Sequence, residues 1–103
     1  MITVRNYNTT TDYSAVKALY QDSSTYGGQY DDARDTAEKL ATLVATDMHK
    51  ILVAEIQKQI VGTVTLFEDG RAAWLYRFAV QHEYEHKIAQ ALYDHAVEIL
   101  REK

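Results

Sequence analysis

Apolar residues recur along this chain at two spacings, one marking strands and one marking helices. Ile2 and Val4 alternate with Thr3 and Arg5, which predicts a first strand over residues 2–7. Thr9, Thr10, Thr11 and Asp12 then offer side-chain caps for a helix. Val16, Leu19 and Tyr20, with Tyr13 a turn before them, share one helical face and predict a helix over residues 12–23. Residues 23–30 hold Gly27-Gly28 and read as a loop. Asp31 and Asp32 suit the start of a second helix, with the stripe Ala33, Ala37, Leu40 and Val44, ending near Asp47.

Three strands follow. Ile51-Leu52-Val53-Ala54 is a short apolar run. Residues 60–67 place Ile60, Gly62, Val64 and Leu66 on one face and Val61, Thr63, Thr65 and Phe67 on the other. The short Gln57-Lys58 connection predicts an antiparallel hairpin, and Asp69-Gly70 predicts a second. Residues 72–80 form a third strand, apolar on both faces apart from Arg77. A last helix over residues 84–101 carries the stripe Ile88, Ala91, Leu92, Ala96, Ile99 and Leu100. The order β-α-α-β-β-β-α is that of an α+β domain, a mostly antiparallel sheet with helices on its faces. A crossover helix usually returns to a strand parallel to the one it left, and none follows here. The strand at 72–80 is therefore expected as a sheet edge, covered by a second copy or by another chain.

Composition narrows the function. A chain of 103 residues with 47% hydrophobic content is expected to fold as one domain, residues 1–103, either whole or as a portion of a longer one. A net charge of −4 disfavours nucleic acid and anionic membranes as partners. The absence of cysteine excludes disulfides, thiolate metal sites and cysteine nucleophiles. Neither a signal-peptide pattern nor a membrane-length apolar run is present, so a cytoplasmic protein is expected. Eight tyrosines against two phenylalanines point to polar-tipped rings in the core or a cleft.

The chemistry concentrates at residues 81–89, where an apolar strand turns into an amphipathic helix. The first amides of a helix lack intrahelical partners and carry the positive end of its dipole, so this turn is a candidate anion site. The same residues spell His82-Glu83-Tyr84-Glu85-His86, a formal HExxH. On one continuous helix, His82 and His86 would share a zinc ion, with Glu83 as base and a third ligand from Asp94, His95, Glu98 or Glu102. The alternative is a solvated polar turn without metal. His95 otherwise reads as a half-buried packing histidine, and His49 as an exposed strand start. Glu68 and Glu55 are candidate general bases on their strands, although Glu68 and Asp69 equally suit a hairpin tip. Arg77, inside an apolar strand, needs either a carboxylate partner or an anionic ligand.

The run Leu75-Tyr76-Arg77-Phe78-Ala79-Val80, with Glu83, Tyr84 and the helix residues Ala89, Ala91 and Leu92, resembles the GNAT acetyltransferase superfamily over nearly the whole chain. With Ala89 as the last small residue of that family's turn, Lys87 stands at its central glycine and Tyr84 at its leading Arg or Gln; the alternative is a turn one residue shorter than usual. The family's C-terminal strand–helix–strand has no counterpart in this sequence. The resemblance implies acetyl-CoA as co-substrate, held by the main chain of Phe78, Ala79 and Val80 and by the turn residues Glu85, His86, Lys87, Ile88 and Ala89. It implies transfer of an acetyl group to a small-molecule or peptide amine by direct attack, without a covalent enzyme intermediate. It places the acceptor near the loop between the first two helices, where Tyr26 and Tyr30 flank the glycines. A non-catalytic module that dimerises through its edge strand is the alternative, and a zinc hydrolase the third.

Overall fold

The computed structural model describes residues 1–22, 25 and 29–102, with the backbone alone at Tyr84. Four strands, β1 (Thr3–Asn6), β2 (His49–Ile56), β3 (Gln59–Glu68) and β4 (Ala73–Val80), form one antiparallel sheet in chain order. Helices α1 (Tyr13–Gln21) and α2 (Ala37–Val44) cover one face, and α3 (Glu85–Arg101) covers the other. Alternation along β2 explains this sandwich. Leu52 and Ala54 pack with Ile88, Leu92 and Ala96 of α3, whereas Ile51 and Val53 pack with Val16, Leu19, Tyr20 and Leu40.

The β2–β3 hairpin turns on Gln57 and Lys58, both with positive φ (51° and 67°), the left-handed pair that a two-residue hairpin connection demands. Just beyond it the expected faces cross over. Ala54 pairs with Gly62 but Glu55 pairs with Ile60, so β3 carries one extra residue there. Such a bulge reverses the alternation. Val61 therefore joins the α3-side core, while Ile60 packs on the α1–α2 side, the reverse of the sequence pattern.

The second helix begins at Ala37 rather than at Asp31. Asp31 and Asp35 use their carboxylates locally: Asp31 accepts from the Ala33 N–H and Asp35 from the Asp31 N–H, both at 2.8 Å. These bonds favour a turn over a helix, and Thr36 caps α2 instead by accepting from Lys39 N–H at 3.2 Å. Ala33 thus lies outside the helix whose stripe it was expected to start. Asp12 does occupy the N-cap position of α1, but its side chain makes no capping bond.

The outer strand β4 divides into two parts. Its C-terminal residues Ala79 and Val80 are fully buried, whereas Trp74 is 63% exposed and Tyr76 is exposed too. Among the described residues, β4 pairs with β3 alone. No helix of the described residues is long and apolar enough to cross a membrane.

Candidate functional site

At the middle of β4 the ladder breaks. Thr65 pairs with Tyr76 and Thr63 with Ala79, leaving Arg77 and Phe78 together opposite Val64. This is a β-bulge, and Arg77 adopts a left-handed backbone (φ 57°), rare for a residue with a side chain. A bulge turns main-chain groups out of the ladder and re-aims the side chains beside it.

The side chain of Arg77 fixes that geometry. Its guanidinium donates to the Asp35 carboxylate and to the Gln29 carbonyl (2.7 Å), and lies over the Tyr20 ring at 4.7 Å. Asp35 is 3% exposed. Tyr13 donates its hydroxyl to the Asp35 carbonyl at 2.8 Å, which closes the network between the helix-linking turn and the sheet. Burial pushes the Tyr20 hydroxyl up to about 12. Of the two roles open to Arg77, the carboxylate partner is the one present, and that partner comes from the turn before α2.

Past the bulge, Phe78 packs half-buried against the α3-side core, and the Val80 pair with Gly62 brings β4 close beneath α3. A Cβ placed on Gly62 would overlap Ile88 Cγ2 and stand 3.0 Å from Val80 Cγ1, so the glycine lets the first turn of α3 sit directly on the sheet. A 3-10 turn over His82–Tyr84 leads into α3. It uses the Glu85 N–H, which donates to the His82 carbonyl. His86, Lys87, Ile88 and Ala89 follow in the first turns of α3, with Ile88 buried and His86 and Lys87 exposed. The junction thus combines helix amides with one exposed lysine.

HExxH does not lie on one helix. His82 belongs to the 3-10 turn, is largely exposed, and has Nδ1 3.7 Å from the Glu85 carboxylate, whereas His86 belongs to α3. Among the described residues, no three histidine or acidic groups converge as a metal site. His49, expected to be exposed, is half-buried: its ring meets Phe67 at a tilt of 50° with centres 4.9 Å apart, and it bonds Thr46 Oγ1 through Nδ1 at 3.0 Å.

The two candidate bases sit at opposite ends of the sheet. Glu55 pairs with Ile60 and Glu68 with Ala73, each four residues along β3 from Val64, or about 13 Å from the bulge at the rise of a strand. Glu68 accepts from the Gly70 N–H at the hairpin tip. Glu55 accepts from Arg5 Nε at 3.1 Å and Nη2 at 3.2 Å. The same guanidinium forks onto Asp12 at 2.6 and 3.0 Å, and Asp12 also takes the Asn8 N–H at 2.7 Å. Arg5 thereby ties β1, β2 and the start of α1 together. The Arg5 hydrogen bonds hold the Asp12 carboxyl below the usual aspartate value of 3.8. The stability this lends is present above that ordinary value and is lost as pH falls through the lowered native one. Acid titration of folding should therefore show less loss below pH 4 for Asp12→Asn than for the parent chain, about one proton less taken up on unfolding; identical acid limbs would refute the assignment.

Of the acceptor-side candidates, Tyr26 lies outside the described residues. Tyr30 packs on the α1–α2 core, with its hydroxyl 3.4 Å from that of Tyr13 and Lys17 Nζ 5.2 Å from its ring centre. Residue spacing carried no sign of the bulge itself or of Asp35; the one available clue was an arginine in an apolar strand.

Similarity to known proteins agrees with this architecture. The PaiA N-acetyltransferase of Thermoplasma acidophilum, solved in complex with coenzyme A, superposes with a TM-score of 0.82 at 22% identity, over 99% of this chain and 73% of that one. The ribosomal-protein-S18-alanine N-acetyltransferase of Escherichia coli gives 0.73 at 16% identity, over 99% and 61%. A GNAT-family acetyltransferase of Staphylococcus aureus gives 0.76 at 19%, over 99% and 67%. This chain therefore spans roughly two thirds of the length of such proteins. No curated protein matches it. These structures bear on the fold, and the sequence itself matches a family model described as the acetyltransferase (GNAT) family over residues 13–103. That match takes in the bulged strand, the turn after it and α3, and by it the chain belongs to the GNAT acetyltransferase family.

Proposed function

We propose that this chain is an acetyl-CoA-dependent N-acetyltransferase domain that transfers the acetyl group to an amine by direct attack. Acetyl-CoA is the co-substrate of the family. The observation that carries the reading is the bulge at Arg77–Phe78, followed within the same strand by the turn into α3. The residues present fit the group. The bulge frees main-chain polar groups beside Phe78, Ala79 and Val80, and the outer side of β4 pairs with no strand among the described residues. The α3 start offers amides and Lys87 to phosphate oxygens. Acetyl-CoA supplies an activated acyl group. In the chain, a main-chain N–H near Val80 polarises the carbonyl oxygen as negative charge develops on it. The amine nitrogen bonds to the acyl carbon, the carbon–sulfur bond breaks, and the amine proton ends on the departing thiol.

Titration with acetyl-CoA by calorimetry should give micromolar binding, weakened about tenfold by Lys87→Glu, which sets a negative charge beside the phosphates. No heat at millimolar ligand would overturn the reading. One observation favours a second reading, a non-catalytic module paired through β4: Trp74 and Tyr76 stand exposed on that edge strand. Sedimentation distinguishes the two, because a transferase domain with its edge free stays monomeric at concentrations where a paired module does not.

A further inference from the structure

Beside the bulge, on the α2 side of the sheet, lies a cavity of about 520 Å³. This volume falls in the range of small-molecule sites. Its floor is formed by His49, Thr65, Tyr76 and Arg77 from three adjacent strands, and Leu40 and Leu43 of α2 wall it. Its charges are uneven. In a chain of net charge −4, Arg34, Lys39 and Arg77 line the cavity among the described residues, with Asp35 as the acid. Asp35 and Arg77 offset each other as an ion pair, and Arg34 Nε lies 3.8 Å from the Asp31 carboxylate, so among the described residues Lys39 is the lining cation without an ion-pair partner. Arg34 and Lys39 are exposed at the rim. Thr46 donates its only hydroxyl proton to the Leu43 carbonyl at 2.9 Å. Its bond with His49 Nδ1 must therefore take the proton from the ring, which leaves Nε2 of the neutral ring as a hydrogen-bond acceptor.

We infer that this cavity takes the acceptor, and that the acceptor is a small amine carrying an anionic group, carboxylate or phosphate, at its far end. This rests on the transferase reading given above. The amino group lies toward Arg77 and the bulge, and the anionic group toward Lys39 and Arg34 at the His49 end of the cavity. His49 and Arg77 belong to rows of the sheet three residues apart, on the order of 10 Å along the strands.

The test uses four probes of one length that differ in the terminal group: ω-aminooctanoate, ω-aminooctyl phosphate, octylamine and octanediamine. Binding to the whole chain is followed by amide chemical shifts at Lys39, His49 and Tyr76, without acetyl-CoA. One or both anionic probes should bind about tenfold more tightly than octanediamine, and their order identifies the anionic group. Lys39→Glu, at an exposed position, should abolish the preference, and Arg34→Glu should weaken it. Equal or tighter binding of octanediamine, or shifts confined to other residues, would overturn the inference. Acetyl-CoA titrated in parallel keeps the two readings apart. Acetyl-CoA binding without anionic preference overturns the acceptor class alone, and anionic preference without acetyl-CoA binding overturns the transferase and leaves an anion-selective amine site.

Discussion

Arg77→Ala should lower folding stability by about 3 kcal/mol, seen as a lower urea midpoint at unchanged slope. The side chain of Asp35 is 4% exposed and that of Arg77 25%. Removing the guanidinium strands a buried carboxylate, and desolvation of an unpaired charge dominates the cost. The Gln29 carbonyl and the Tyr20 face lose their partner in the same step. A second substitution separates side chain from backbone. Because Arg77 sits at φ 57°, Arg77→Gly should be about 1 kcal/mol more stable than Arg77→Ala, since glycine adopts that conformation without steric cost. Asp35→Asn should cost less than Arg77→Ala, because an amide oxygen still accepts from Arg77. A parent-like midpoint for Arg77→Ala would show that the pair contributes nothing. Equal midpoints for Ala and Gly would show that the bulge does not strain residue 77.

The second large effect is expected at Gly62. Gly62→Ala should cost about 2 kcal/mol, the usual penalty of forcing an extra carbon into a packed interior. The obstructing atom is Ile88 Cγ2, on a β-branched and fully buried side chain that cannot swing aside cheaply. Relief must come from lifting the start of α3 off β3. The same substitution should therefore weaken acetyl-CoA binding along with stability, because Lys87 precedes Ile88. Ile88→Ala removes the obstruction, so Gly62→Ala combined with Ile88→Ala should be less destabilised than the sum of the two single changes. Strict additivity would mean that the two side chains do not meet.

Most of the fold was legible because its cores obey simple periods. Val16, Leu19 and Tyr20 identified the buried face of α1, and Ile88, Leu92 and Ala96 that of α3. Asp69-Gly70 marked a hairpin whose glycine has φ 91°. The misread positions are those where one residue upsets the count. Ile60 and Val61 exchange faces across a bulge, which periodicity alone does not reveal. The acidic run before α2 read as a helix start, whereas its carboxylates close a turn and reach back to β4. Asp12 read as a cap and proved to be a partner of Arg5. Asp12 and Asp35 found arginine partners in Arg5 and Arg77, and sequence spacing does not encode which partner a carboxylate will find. The candidate site was legible as a place, the strand, turn and helix from β4 to α3. Its defining irregularity at Arg77 was visible only as a charge in the wrong company.

The lone tryptophan of the chain, Trp74, stands largely in water on the free side of the sheet. Indole emission follows the polarity around the ring, so the native chain should already emit at the long wavelengths of a solvated indole. Denaturation will then move its spectrum little, and intrinsic fluorescence is a poor reporter of unfolding here. The same ring becomes a sensitive reporter of anything laid along that margin, with a blue shift on cover and quenching by iodide while it stays open. A natural label thus sits where the two functional readings diverge.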